Sequence, residues 1–208
     1  MSSLLLDSFR RARLRATISL LMFSLALALA TAGCGEQSVR FNSIDLTGAD
    51  YAKAFELRDS DGKARKLSDF QGKVVLLFFG FTQCPDVCPT ALTRAAAVKK
   101  QLGADGEKLA VIFVTIDPER DTPAMLKDYT AAFDPAFIGL HGDMKTTAET
   151  AATFRIFYSK VPTGASYTMD HTATSYVYDP QGRLRLAVSH ALTGDALTAD
   201  IRTLLKPN

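Results

Sequence analysis

Behind Lys73, the residues Val74-Val75-Leu76-Leu77-Phe78-Phe79 form an unbroken apolar run, and Gly80-Phe81-Thr82-Gln83-Cys84-Pro85-Asp86-Val87-Cys88-Pro89 follows at once. A run without alternation, rich in β-branched and aromatic side chains, is what a strand covered on both faces needs. Leu109 to Ile116 is a second such run. Between them, Thr90 to Leu102 is rich in helix formers, with Leu92, Ala95, Ala96 and Leu102 near helical spacing and Gly103 as the stop. Strand, helix and strand make a βαβ unit, and the alternation continues outward. A helix is expected from Pro123 to Phe133, with Thr122 as N-cap and Pro123 at the first helical position. A short strand over Phe137 to Leu140 and a helix over Lys145 to Phe154 come next. Thr174 to Tyr178 and Leu184 to Val188 surround Asp179-Pro180-Gln181-Gly182, a late antiparallel hairpin, and Thr193 to Leu205 closes as a helix. Upstream, Ala54 to Leu57 and Ala64 to Leu67 flank the turn cluster Asp59-Ser60-Asp61-Gly62, an extra N-terminal hairpin. The expected class is α/β, a central mixed sheet flanked by helices.

The 208 residues allow one sizeable domain and an appendage. With 47% hydrophobic and 22% charged residues, the chain is too apolar for a disordered protein. Arg10, Arg11, Arg13 and Arg15 precede Ala16 to Ala32, which carry no charge, the layout of a secretory signal. The segment ends on Thr31-Ala32-Gly33-Cys34, which resembles the lipobox of bacterial lipoproteins and makes Cys34 the expected lipidation site. An uncleaved membrane anchor is the alternative, at the short end of what spans a bilayer. Residues 1–33 are thus a signal peptide or anchor, 34–50 a polar tether, and 51–208 the domain. Either processing route exports the domain and tethers it to a membrane, on the periplasmic side. Without residues 1–33, which hold four arginines and Asp7, the overall charge of +2 becomes −1, from 20 basic and 21 acidic side chains. That balance gives no electrostatic basis for holding nucleic acid.

Assigning Cys34 to lipid leaves one cysteine pair, Cys84 and Cys88. A structural disulfide with so short a loop would stabilise little, so the pair is the chemistry candidate. It stands at the carboxyl end of a core strand, where open α/β sheets gather ligands. Cysteines four apart share a helix face, and a helix N-terminus beside them favours thiolate, the form that attacks disulfides and binds soft metals. Two sulfurs suit Cu(I), or zinc with further ligands. The third ligand is to be sought among His141, His171 and His190, and spacing alone does not choose. His171 follows Asp170, a candidate acceptor for the ring proton that metal-bound imidazoles need to share. Asp86, between the cysteines, is a candidate to adjust thiolate charge. Asp117 to Pro123 reads as structural capping, and Met169 and the phenylalanines as packing.

Five blocks in order resemble the Sco/SenC family of thioredoxin-like copper proteins. They are Asp69-Phe70-Gln71-Gly72-Lys73, Phe79-Gly80-Phe81-Thr82, Cys84 to Pro89, Asp117-Pro118-Glu119-Arg120-Asp121-Thr122-Pro123 and Tyr167-Thr168-Met169-Asp170-His171-Thr172. The resemblance implies a thioredoxin-like fold and carries the copper ligands over to Cys84, Cys88 and His171. It also implies delivery of copper, as Cu(I) or Cu(II), to the binuclear centre in the copper-bearing subunit of cytochrome c oxidase. In some family members the same cysteines act as a thiol reductase. The leading expectation is therefore a metallochaperone served by a thiol reductant partner. A thiol-disulfide oxidoreductase, with Cys84 and Cys88 as its redox dithiol, is the alternative. A peroxidase ranks third, because it gives Asp170 and His171 no role.

Overall fold

The Val74–Gly80 run folds as a strand buried at every position, and so does Leu109–Thr115. The computed structural model describes residues 40–206. The expected signal or anchor over 1–33, the lipidation site Cys34 and residues 35–39 lie outside the described residues. In chain order the elements are β1 (Ile44–Asp45), β2 (Glu56–Asp59), β3 (Ala64–Lys66), β4 (Val74–Gly80), α1 (Val87–Leu102), β5 (Leu109–Thr115) and α2 (Pro123–Ala131). Then come β6 (Ile138–His141), α3 (Met144–Thr153), β7 (Tyr158–Thr163), β8 (Ser166–His171), β9 (Ser175–Tyr178), β10 (Leu184–Val188) and α4 (Gly194–Leu205).

Eight strands form one mixed sheet in the order β1-β10-β9-β4-β5-β6-β2-β3. The steps β4 to β5 and β5 to β6 are parallel, and the other pairings are antiparallel. This is the expected thioredoxin-like α/β arrangement, with the N-terminal hairpin β2–β3 joined to the sheet through β6 and the late hairpin β9–β10 joined through β4. Both parallel steps move the same way across the sheet, so right-handed crossovers put α1 and α2 on one face. Among the described residues no helix is long and apolar enough to cross a membrane.

Local signals placed most helix ends. Thr122 caps α2 by accepting from the Met125 N–H, Asp143 caps α3 and Thr193 caps α4 in the same way. Gly103 ends α1 at φ 61°, a left-handed backbone that glycine adopts without strain.

Three expectations need correction. Helix α1 begins at Val87, three residues before the expected start, so Cys88 lies in its first turn. Pro89 is tolerated there because the first four N–H groups of a helix have no intrahelical partner. The tether does not run to residue 50: the folded unit begins at Phe41. Ile44–Asp45 pairs with β10, and the buried Asp200 carboxylate accepts from the backbone N–H groups of Asn42 and Ser43 at 2.8 and 2.9 Å. No local apolar period marks this strap, since its partners are more than 140 residues away. Finally, β7 and β8 form a separate two-stranded sheet that the pattern did not announce.

Candidate metal centre

Strand β4 ends at Gly80, and the chain turns through Phe81 to Asp86 into α1. Cys84 is half-buried in that turn, whereas Cys88 is fully buried one helical turn later, and both are free thiols. The two cysteines meet because the Cys88 backbone N–H, at the start of α1, donates to Cys84 Sγ at 3.4 Å. Gly80 makes room for the second sulfur: a Cβ there would lie 2.7 Å from Cys88 Sγ and 2.8 Å from the Phe113 ring.

His171 arrives from the far end of the chain, as the last residue of β8. Its Nε2 lies 3.8 Å from Cys88 Sγ. Its Nδ1 lies 2.9 Å from the Thr172 carbonyl, which only accepts, so Nδ1 carries the proton and the Nε2 lone pair faces the sulfurs. Phe78 and Phe81 flank the ring in T-shaped contacts, each with centroids 6.0 Å away. Ligand atoms of Cys84, Cys88 and His171 all lie within 4.8 Å of one another.

The pair is electrostatically unequal. The Cys88 thiol donating to Cys84 Sγ, together with the backbone N–H groups of Asp86 and Cys88, holds Cys84 far below an ordinary thiol despite its partial burial. The Cys84 sulfur as acceptor, and burial, push Cys88 up. These opposite shifts favour the thiolate at half-buried Cys84 and the thiol at buried Cys88.

The remaining candidates fall outside this group. His141 ends β6 and borders a cleft of about 1200 Å³ between the β2–β3 hairpin and α3, lined by neither cysteine nor His171. His190 lies in the loop after β10, where its carbonyl accepts from Arg94 at 2.6 Å. Asp170 is exposed and does not hydrogen-bond the imidazole, because neighbouring residues of a strand point to opposite faces. The ring's acceptor is the Thr172 carbonyl instead. The Asp86 side chain is exposed as well, and its influence on Cys84 comes through its backbone N–H. Met169 is packed in the core.

Sequence reasoning missed the residues that bind the two halves of the site together. Buried Asp121 accepts from the Thr82 N–H and hydroxyl, the latter at 2.6 Å, and from the Thr115 hydroxyl at 2.6 Å. Arg120 donates to the Tyr167 carbonyl at 2.7 Å, to Gln83 Oε1 at 3.2 Å and to Asp117 at 2.5 Å. Its guanidinium also stacks 3.7 Å over the Tyr167 ring, whose hydroxyl donates to Asp117 at 2.8 Å. The segment Asp117 to Asp121 is structural, as read, but what it structures is the cysteine turn and the hairpin that carries His171. The density of charged residues in a turn after a buried strand was the available signal.

A family model described as SCO1/SenC matches residues 45–206. The chain belongs to the SCO1/SenC family. Its SCO1/SenC relatives include the mitochondrial protein SCO2 homolog of Bos taurus, 37% identical over 152 residues, which cover 71% of this chain and 57% of that one. The chain thus spans less than two thirds of that relative's length. ScoI of Bradyrhizobium japonicum, solved with copper bound, is 42% identical and superposes with a TM-score of 0.67 over 73% of this chain and 98% of its own. The apo Sco1 protein of Thermus thermophilus is 41% identical, with a TM-score of 0.71 over 81% of this chain and 99% of its own.

Proposed function

We propose that this chain is a copper metallochaperone that holds its cargo between Cys84, Cys88 and His171. Delivery goes to the binuclear copper centre in the copper-bearing subunit of cytochrome c oxidase. The observation that carries this reading is the convergence of two sulfurs and an Nε2 lone pair within 4.8 Å. Two sulfurs and an imidazole match the donor preference of copper. The copper bound to the Bradyrhizobium relative supports the same reading. A shell of three ligands, one of them on a half-exposed turn, lets a client's ligands replace them in sequence. The domain works outside the cytoplasmic membrane, tethered through Cys34 or an uncleaved N-terminal anchor.

The test is copper content of the purified chain, reduced and then oxidised. Equimolar copper in the reduced protein and none after the Cys84–Cys88 disulfide forms is the expected result. Equal copper in both states would remove the dithiol from the site.

The inequality of the cysteines favours a second reading, thiol-disulfide exchange. The Cys84 thiolate attacks a partner's disulfide and releases one partner thiolate. Cys88, its proton lost to solvent, then attacks Cys84 Sγ, which frees the partner's other sulfur as thiolate and leaves the Cys84–Cys88 disulfide. A thiol reductant partner restores the pair. Reduction of a disulfide substrate by the metal-free chain, abolished in Cys84→Ser, tests this reading; an unchanged rate in that variant refutes it.

A further inference from the structure

The ladder between β7 and β8 closes at the pair Tyr158 and His171, and one step beyond it Phe157 and Thr172 are joined by two further hydrogen bonds. In an antiparallel ladder a hydrogen-bonded pair exchanges two bonds, each N–H donating to the other residue's carbonyl. Here the exchange is altered. The Thr172 N–H donates to the Phe157 carbonyl at 3.0 Å, as a ladder requires. The Phe157 N–H, however, donates to the Thr172 hydroxyl at 3.1 Å. A side chain stands in for the main chain, and the Thr172 carbonyl is released from the ladder. It accepts the Nδ1–H of His171 at 2.9 Å instead, while Nε2 lies 3.8 Å from Cys88 Sγ.

The hydrogen bond made by one ring nitrogen decides which nitrogen is left to bind a metal. The Thr172 carbonyl makes that choice for His171. Without the hydroxyl, the Phe157 N–H has the Thr172 carbonyl as its ladder acceptor, and a carbonyl turned into the ladder points across to the partner strand rather than at its neighbour's ring. We propose that Thr172 is a positioning residue of the metal site, whose hydroxyl takes up the Phe157 N–H so that its carbonyl can hold the His171 ring with Nε2 toward the sulfurs. This inference rests on the copper reading above and adds a side chain from outside the ligand set. Threonine and serine carry such a hydroxyl at the same distance from the backbone; valine keeps the branched shape without it.

The test compares Thr172→Val with Thr172→Ser in the full chain. Nitrogen NMR of the imidazole, on the reduced and metal-free protein with the ring neutral, reads the tautomer directly. The parent and the serine variant should show the proton on Nδ1 of His171, and the valine variant a mixture of both tautomers. Cu(I) affinity, measured by competition with a chromophoric chelator, should fall about 10- to 100-fold in the valine variant, as when a metal ligand loses its outer partner, and the serine variant should restore it. The parental tautomer or the parental affinity in the valine variant would overturn the proposal, as would a serine variant as weak as the valine one. A parent whose His171 carries its proton on Nε2 would overturn it without any variant. A parent that binds no copper, yet loses the Nδ1–H tautomer on Thr172→Val, would refute the copper reading and leave the positioning of the ring by Thr172 standing.

Discussion

Cys88 Sγ and His171 Nε2 stand 3.8 Å apart although 83 residues separate them in the chain. The first belongs to the opening turn of α1 and the second to the end of a two-stranded sheet outside the main one. Whatever fixes β8 relative to α1 therefore fixes the candidate metal site.

His171→Ala separates the two proposed activities. Copper affinity should fall by more than the roughly 10- to 100-fold that losing an outer hydrogen-bond partner costs a metal site. Disulfide reduction should persist, because neither exchange step uses the imidazole. Competition titration and a disulfide-reduction assay on the same preparation check both; equal copper affinity in variant and parent would remove His171 from the site.

Arg120→Ala should loosen the hairpin that carries His171 while leaving both thiols in place. An affinity loss of about 10- to 100-fold is expected, with unchanged alkylation of Cys84. Arg120→Lys should not restore binding, because an ammonium cannot reproduce the planar fork and the stack on Tyr167. Full affinity in the lysine variant would show that charge alone suffices.

Burial holds the Asp121 carboxyl above its ordinary value of 3.8. From there up to its folded value, the native state retains a proton that the unfolded chain has lost. This group's contribution to stability therefore falls as pH rises through that window and is most favourable below it. Asp121→Asn should flatten that slope. Melting temperatures of the metal-free protein against pH decide the matter, and parallel curves for parent and variant would exclude Asp121 as the source.

Gly80→Ala forces a methyl group against Cys88 Sγ and Phe113. An overpacking loss of about 1–3 kcal/mol is expected in denaturant unfolding, together with weaker copper binding as the sulfur shifts. Retention of both parent values would mean that the strand end yields freely.

Much of this architecture was legible because it is written locally. Val74 to Phe79 and Leu109 to Ile116 announce buried parallel strands through composition, and Thr122 and Gly103 mark helix ends through hydrogen bonds made within one turn. The β7–β8 hairpin escaped because its strands are half-exposed or exposed along much of their length and show no clean alternation. The early start of α1 escaped because Pro89 looks like a breaker until its place in the first turn is known.

By itself the sequence determined the α/β class, the cysteine pair at a strand's carboxyl end and, through its likeness to a family, the histidine that joins them. It left Asp170 and Asp86 as candidate helpers. Only the tertiary structure replaced them with the Thr172 carbonyl, Asp121 and Arg120. The reason is physical: the direction of a side chain and the partner of a hydrogen bond depend on which distant segments pack together, and no periodicity within a single segment encodes that.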